Sequence, residues 1–517
     1  MSALTTNAVV AVVGAGTMGQ GIAEVAAAAG HPVLLFDVGE GAAEKALAAI
    51  RGGQETRVAK GKQTQTDADA LCARIVVVDS MEGLADAGLV IEAIVEDLAI
   101  KQALFRQLET LCAPDTILAT NTSSISVTAI ASALEKPGRL AGMHFFNPAP
   151  VMKLVEIVGG LATDRTVARC LYETAVAWGK TAVNARSTPG FIVNRVARPY
   201  YAEALRVLQE QGADEATIDA ALTESGGFRM GPLALMDLIG HDVNFAVTNS
   251  VYNAYFQDPR FVPSLVQQEL VEAGRLGRKS GRGFYDYAED TTRVSPINAE
   301  EHSALAADTV QIEGQPGILL ALADRIAGAG ITVVPGETAD TAGAGVLRIG
   351  EANLMLSDGR SATLRSSEDD IGNLVLIDLA GDYAGATRAV VAAAWQCADE
   401  ALRQVVGTLQ KAGFSVSVID DIPGLIVMRT VVMLINEAAE AVLQGVASIG
   451  DIDLAMTRGV NYPRGPLAWA DAIGIATVVR VLDGLQQSYG EDRYRCSRLL
   501  KQYQAAGRRF YPREKTI

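Results

Sequence analysis

The stretch Ala8-Val9-Val10-Ala11-Val12-Val13-Gly14-Ala15-Gly16-Thr17-Met18-Gly19 joins an unbroken apolar run directly to a Gly-x-Gly-x-x-Gly turn. Such a run is what a parallel strand buried on both faces requires. Small residues from Ile22 to Ala29 then predict a helix, stopped by Gly30. A second strand, Val33-Leu34-Leu35-Phe36, ends at Asp37. In this order the three glycines take separate roles. Gly14 permits the tight turn, Gly16 lets backbone approach a pyrophosphate, and Gly19 lets the helix pack close on the strand. The start of the helix offers unpaired N–H groups to phosphate oxygens. Asp37 closes the second strand, the place from which a carboxylate accepts from ribose hydroxyls and repels a 2′-phosphate, so NAD is expected over NADP.

Further strands extend the same sheet: Ile75 to Val78, Leu89 to Glu92, Thr116 to Ala119, and Val151 to Val158. A doubly wound α/β domain follows from this alternation. Glu96 and the run Asn121-Thr122-Ser123-Ser124 fall just after strands, at the ligand-facing carboxyl edge. Ser124 suits a helix cap as well as it suits a ligand oxygen.

A chain of 517 residues exceeds one core and predicts two to four domains. With 49% hydrophobic and 20% charged residues it is a globular chain rather than a disordered one. The formal charge of -16 argues against nucleic acid as the main partner. Five scattered cysteines, none in a Cys-x-x-Cys pair, fit a reducing compartment and predict neither a metal site nor a disulfide framework. No apolar run reaches the roughly 18 residues that a membrane span needs, and the first residues lack a basic leader with a cleavage site. A cytoplasmic location without membrane partners is expected.

The run from His144 to Glu156, His-Phe-Phe-Asn-Pro-Ala-Pro-Val-Met-Lys-Leu-Val-Glu, holds one of only four histidines. The histidine is expected at the head of a tight loop, and Glu156 on an apolar strand. A carboxylate in that setting is costly to bury without a partner. Pairing with it fixes the tautomer of an imidazole and raises its basicity, as a general base requires.

An internal repeat organises the remainder. Pro189-Gly190-Phe191-Ile192-Val193-Asn194-Arg195 reappears downstream as Pro423-Gly424-Leu425-Ile426-Val427-Met428-Arg429. The same offset, without a gap, relates Ile218-Asp219 to Ile452-Asp453, Gly231-Pro232 to Gly465-Pro466, and Asp237 to Asp471. These landmarks indicate a duplicated helical domain. Asn194, which donates and accepts, becomes Met428, which does neither well, so the second copy is expected to be non-catalytic. Four regions result: an NAD-binding Rossmann domain over 1–186, an all-α domain over 187–288, a small degenerate α/β unit without a phosphate loop over 289–420, and a second all-α copy over 421–517. Within the third region a helix is expected from Ala389 to Ala412. The helical copies are expected to pack together within the chain, with a homo-oligomer left open.

Taken together, these motifs resemble the 3-hydroxyacyl-CoA dehydrogenase family over residues 8–287 and again from 421 onward. The resemblance implies NAD-dependent oxidation of an (S)-3-hydroxyacyl-CoA to the 3-oxoacyl-CoA, with an acyl-CoA as the partner. It implies His144 as catalytic base, Glu156 as its carboxylate partner, and Ser123 and Asn194 as polar residues around the reacting oxygens. It further implies Asp37, Glu96, Lys101 and Lys279 as cofactor contacts and Lys60 as a coenzyme A contact. Arg51, Arg57, Lys60, Lys62 and Arg74 suit either coenzyme phosphates or a solvated helix face, and Gly53 stands where the family has a serine. The long form with two helical copies resembles the family's phenylacetate-degradation branch, which acts on 3-hydroxyadipyl-CoA. A 3-hydroxybutyryl-CoA dehydrogenase and a non-catalytic, crystallin-like NAD-binding protein are the alternatives.

Asp37 generates a first prediction. kcat/KM with NADH should exceed that with NADPH by about tenfold or more, a difference of about 1.4 kcal/mol, and Asp37→Asn should narrow it. Equal values for the two cofactors would refute this role of Asp37.

Overall fold

The computed structural model describes residues 2–288, 294–336 and 345–512, which form two compact units. The first contains residues 1–195 together with 444–460, and the second contains 196–443 together with 461–517. The sequence-based boundary at 288/289 adjoins residues 289–293, outside the described residues.

The first unit is built on eight strands: β1 (Val10–Val13), β2 (Val33–Phe36), β3 (Ile75–Val77), β4 (Leu89–Glu92), β5 (Ile117–Thr120), β6 (Leu140–Phe145), β7 (Leu154–Gly159) and β8 (Thr181–Arg186). Their order is β3-β2-β1-β4-β5-β6-β7-β8, and every pair is parallel except β6 with β7. Val10, Val12, Leu35, Ile91 and Ala119 are buried with the helix residues Ile22 and Ala26 in one core. The apolar runs therefore mark strands covered on both faces, as a parallel sheet demands.

His144 lies inside β6, where a loop position was expected. Residues Leu140 to Phe145 are all buried, and the ladder to β7 claims their backbone groups. The next strand begins at Leu154, later than the expected Val151.

Residues 444–460 belong to the second helical copy by sequence, yet they complete the first unit. The helix Ile449–Gly459 packs on β7 and β8. At its end a Cβ on Gly459 would sit 2.5 Å from Leu154 Cδ2 and 3.3 Å from Val193 Cγ2, so a side chain there would force Leu154 to shift. Arg186 N donates to Val446 O at 2.8 Å, and Arg195 Nη1 donates to Gln444 Oε1 at 2.9 Å.

The second unit has its own mixed sheet: β9 (Thr309–Glu313), β10 (Thr332–Pro335), β11 (Val346–Ile349), β12 (Ala352–Leu356), β13 (Leu374–Ile377), β14 (Arg388–Ala393) and β15 (Ser415–Val418), ordered β10-β9-β11-β12-β13-β14-β15. The run β12 to β15 repeats the parallel, antiparallel, parallel pairing of β5 to β8. The expected helix Ala389–Ala412 is instead β14 followed by the helix Asp399–Lys411. Val390 and Val391 are β-branched and buried, as an interior strand prefers, and this overrides the helical propensity of the neighbouring alanines.

The two helical copies pack against each other inside this unit, helix Arg198–Gln209 against helix Val427–Leu443. Between them Arg429, fully buried, holds Glu203 at 3.0 Å, and Tyr494 Oη donates to the same carboxylate at 2.9 Å. Elsewhere in this unit, the segment Glu215–Ser225 of the first copy packs on β14, where Ser225 Oγ donates to Arg388 O at 2.7 Å. This mirrors the helix Ile449–Gly459 on β7, because the offset of the repeat carries Leu154, which opens β7, onto Arg388, which opens β14. Each helical copy thus covers the sheet encoded by the other half of the chain.

Removing everything after residue 288 strips β7 and β8 of the helix Ile449–Gly459 and exposes apolar surface. Such a chain should self-associate or melt well below the full chain. Light scattering and thermal denaturation read this directly, and a stable monomer of full activity would contradict it.

Candidate active site

Glu156, on the interior strand β7, has no solvent exposure. One of its oxygens, Oε2, lies 2.7 Å from His144 Nδ1, directly across the antiparallel ladder. The other, Oε1, accepts from Ile192 N and Val193 N, both at 3.0 Å. A buried carboxylate with three polar partners is satisfied, which offsets its desolvation. Because Nδ1 faces a carboxylate, it carries the proton of the neutral ring and Nε2 keeps the lone pair. Nε2 takes no hydrogen bond among the described residues. Phe146 and Phe191 flank the ring with centroids at 4.6 and 5.7 Å, which fixes its plane.

The two N–H groups held by Glu156 open the helix Val193–Val196, and Asn194, half-buried, sits on its first turn. Phe191 before it adopts φ 48°, in the left-handed region that side chains seldom occupy. One carboxylate thus positions both the imidazole and the turn that carries Asn194.

A second carboxylate cluster lies at the ends of β4 and β5. Glu96 Oε1 accepts from Ser123 N at 2.8 Å, Ser123 Oγ at 3.2 Å and Thr122 Oγ1 at 3.0 Å. Burial works to raise the Glu96 carboxyl, but Lys101 and the Ser123 N–H outweigh it and hold it below the usual range. Lys101 is buried, 2.5 Å from Glu92 Oε1 and 3.2 Å from Glu96 Oε2. Its ammonium is paired with both carboxylates. Lys279 lies in the other unit, where its Nζ is paired with Asp242. Lys60 is exposed just past the helix Ala42–Ala59, while Arg57 is bound to Glu24 at 2.9 Å and Arg74 donates to Ala27 O at 3.3 Å.

Three positioning residues carry no role of their own in the sequence reading, although Asn121 lies in the run placed at the ligand-facing edge. Asn121 Oδ1 accepts from Phe145 N at 2.8 Å, beside His144. Lys180 Nζ donates to Ala149 O at 2.5 Å and Met152 O at 2.9 Å, which pins the turn after β6. Burial, with Lys153 adding to it, lowers the Lys180 ammonium to about 8. Glu92 did leave a trace, as a carboxylate at the end of an apolar strand.

The glycine turn fits a dinucleotide. A Cβ at Gly14 would meet Ala93 O at 2.5 Å and one at Gly19 would meet Gly14 O at 1.7 Å, whereas nothing lies within 4 Å of one at Gly16. The space over Gly16 is therefore open. The helix Thr17–Ala28 begins there without a side-chain cap, so its N–H groups stay available to phosphate. Asp37 accepts from Ala15 N at 2.6 Å and Gly39 N at 2.8 Å, which fixes its carboxylate at the end of β2.

The NAD-binding-domain model of 3-hydroxyacyl-CoA dehydrogenases matches residues 9–188, and the C-terminal-domain model matches 190–287 and again 424–515. The chain belongs to the 3-hydroxyacyl-CoA dehydrogenase family. It is an NAD-dependent enzyme of that family, and a reduced Rossmann-fold domain of 3-hydroxybutyryl-CoA dehydrogenases matches residues 354–423, which hold most of β12 and all of β13, β14 and β15. A 3-hydroxyadipyl-CoA dehydrogenase of Escherichia coli is 47% identical over 493 residues, covering 95% of this chain and 96% of that protein. A solved structure described as 3-hydroxybutyryl-CoA dehydrogenase from Escherichia coli K12 superposes with a TM-score of 0.87 at 46% identity, covering 97% of this chain and 99% of the other. A probable 3-hydroxybutyryl-CoA dehydrogenase of Bacillus subtilis is 42% identical, covering 54% of this chain and 98% of its own length.

Glu156 should reveal two separable roles. Glu156→Ala removes the acceptor for Ile192 N, Val193 N and His144, and should cost about 3–5 kcal/mol of stability in denaturant unfolding. His144→Ala should leave NADH affinity near wild type while lowering kcat by roughly 10²–10⁴-fold, and it should also lower stability, because the buried Glu156 Oε2 loses its partner. A His144→Ala enzyme of normal kcat would remove the histidine from the chemistry.

Proposed function

We propose that this enzyme oxidises (S)-3-hydroxyadipyl-CoA, a 3-hydroxyacyl-CoA with a terminal carboxylate, in phenylacetate degradation. The observation that carries the chemistry is the buried 2.7 Å contact between His144 and Glu156. It leaves one ring nitrogen as a base of fixed tautomer. His144 Nε2 takes the hydroxyl proton, and Glu156 stabilises the imidazolium that forms. Ser123 and Asn194 hold the substrate oxygens. The hydride acceptor for C3 would be supplied by NAD. Gly14, Gly16 and Gly19 would admit its pyrophosphate, Asp37 would accept from its ribose hydroxyls, and Glu96 and Lys101 would be further contacts. In the same reading Lys60 is a coenzyme A contact and Lys279 a cofactor contact. The choice of substrate rests on the near full-length likeness to the Escherichia coli 3-hydroxyadipyl-CoA dehydrogenase.

The regional division proposed from the sequence, 1–186, 187–288, 289–420 and 421–517, assigns catalysis to the first two regions. In the second sheet, the offset of the repeat carries His144 onto Asp378 and Glu156 onto Val390, so neither base nor partner remains there. Among the described residues no helix is long and apolar enough to cross a membrane, and we place the enzyme in the cytoplasm.

A steady-state panel tests the reading. kcat/KM for 3-hydroxyadipyl-CoA should exceed that for 3-hydroxybutyryl-CoA by about tenfold, or about 1.4 kcal/mol. The reverse order would assign the shorter substrate. Calorimetry should find one NADH per chain, and two would mean that the second sheet also binds cofactor.

A further inference from the structure

Within the second unit a cavity of about 330 Å³ opens in the first helical copy, beside Arg493 of the second, walled by Ala202, Leu205, Phe261, Val262 and Pro263. Four arginines reach it: Arg198, Arg206, Arg260 and Arg493. Two are neutralised. Arg206 is paired with Glu491 and Glu210, and Arg260 with Asp258 and Glu437. Arg198 has no carboxylate partner among the described residues and is 6% exposed. Its Nη1 donates to Thr248 Oγ1 at 3.1 Å, its guanidinium carbon lies 4.9 Å from the Tyr201 ring centroid, and its Nε makes no hydrogen bond. Arg493, also buried, donates only long bonds of 3.4 and 3.5 Å, to Pro259 O and Val262 O.

A buried guanidinium without a counter-charge is expensive, and an anion relieves the cost. The fold does not require the charge. The register of the repeat puts Val432 in the place of Arg198, and the helix Val427–Leu443 forms normally with it. The fork of a guanidinium matches a carboxylate in two parallel hydrogen bonds, and the apolar walls suit a short alkyl chain better than a bare inorganic anion.

We propose that this cavity is a binding site for an aliphatic carboxylate, with Arg198 as the principal ligand and Arg493 as the second. Two sources share that chemistry, a free dicarboxylate and the distal carboxylate of an acyl thioester. Only the second source rests on the substrate reading above.

The test uses the full chain saturated with NADH, so that the phosphate-binding turn is filled, at constant ionic strength. Adipate at about 100 times its dissociation constant should raise the melting temperature by several degrees, and Arg198→Leu should abolish the rise. Inorganic phosphate and sodium chloride are the controls. In parallel, KM for 3-hydroxyadipyl-CoA and for 3-hydroxybutyryl-CoA is measured in both enzymes. If Arg198→Leu raises KM tenfold or more for the first substrate only, the site holds the substrate's own terminus. If KM is unmoved and adipate protects, the site takes a free dicarboxylate. Absence of both effects, protection by phosphate rather than adipate, or protection that survives Arg198→Leu would overturn the proposal. Arg493→Gln provides the same readings if the leucine variant fails to fold. Turnover of 3-hydroxybutyryl-CoA reports separately on the dehydrogenase reading.

Discussion

The carboxylate of Glu156 is the constraint on which the rest of the site depends. It is buried on an interior strand, and it reaches across one antiparallel register to His144 and along the other direction to the backbone of Ile192 and Val193. A charge in such a place survives only if each lone pair has a partner. The partners are the imidazole and the opening turn of the helix that bears Asn194, so satisfying the charge and assembling the site are the same event. This is a polar network of the kind that is stabilising when complete and costly when one member is missing.

The second half of the chain shows which part of that arrangement is structural. Asp378, at the register position of His144, accepts from Ile426 N at 2.9 Å, Val427 N at 2.7 Å and Met428 N at 2.8 Å. Ile426 and Val427 are the repeat partners of Ile192 and Val193. The helix start is still tied to the sheet by a carboxylate, though from the neighbouring strand, while Val390 occupies the place of Glu156. Burial pushes the Asp378 carboxyl up to about 6 against these bonds. The anchoring function outlived the acid–base pair because the orphan N–H groups of a buried helix end must be met by some acceptor. The imidazole is gone there, and Met428 stands where Asn194 would be, so the second half keeps the anchor but not the His–Glu pair.

The exchange of helices gives that packing its purpose. Neither sheet is covered by its own helical copy alone. The helix Ile449–Gly459 closes β7 and β8 in the first unit, and the segment Glu215–Ser225 closes β14 in the second. A linked chain performs this at an effective concentration set by the linker, on the order of millimolar, so the cover on the strand that carries Glu156 does not depend on finding another molecule.

The sequence by itself determined the parallel sheet, the dinucleotide turn, the pairing of His144 with Glu156, and the repeat that carries Arg195 onto Arg429. Those features are local, or they recur at a fixed interval, and local hydrophobic period and glycine placement are written directly in the chain. Only the tertiary structure decided that His144 lies within a strand, since the residues around it read equally well as a loop until the ladder to β7 is known. It alone decided that Glu156 also holds a helix, that Lys101 is sealed under Glu92 and Glu96, and that residues 444–460 serve the first sheet. Each of these depends on which backbone group or charge meets another far away in sequence. A strand displaced by one residue would turn Glu156 to the opposite face, and no pattern in the linear sequence reports that register.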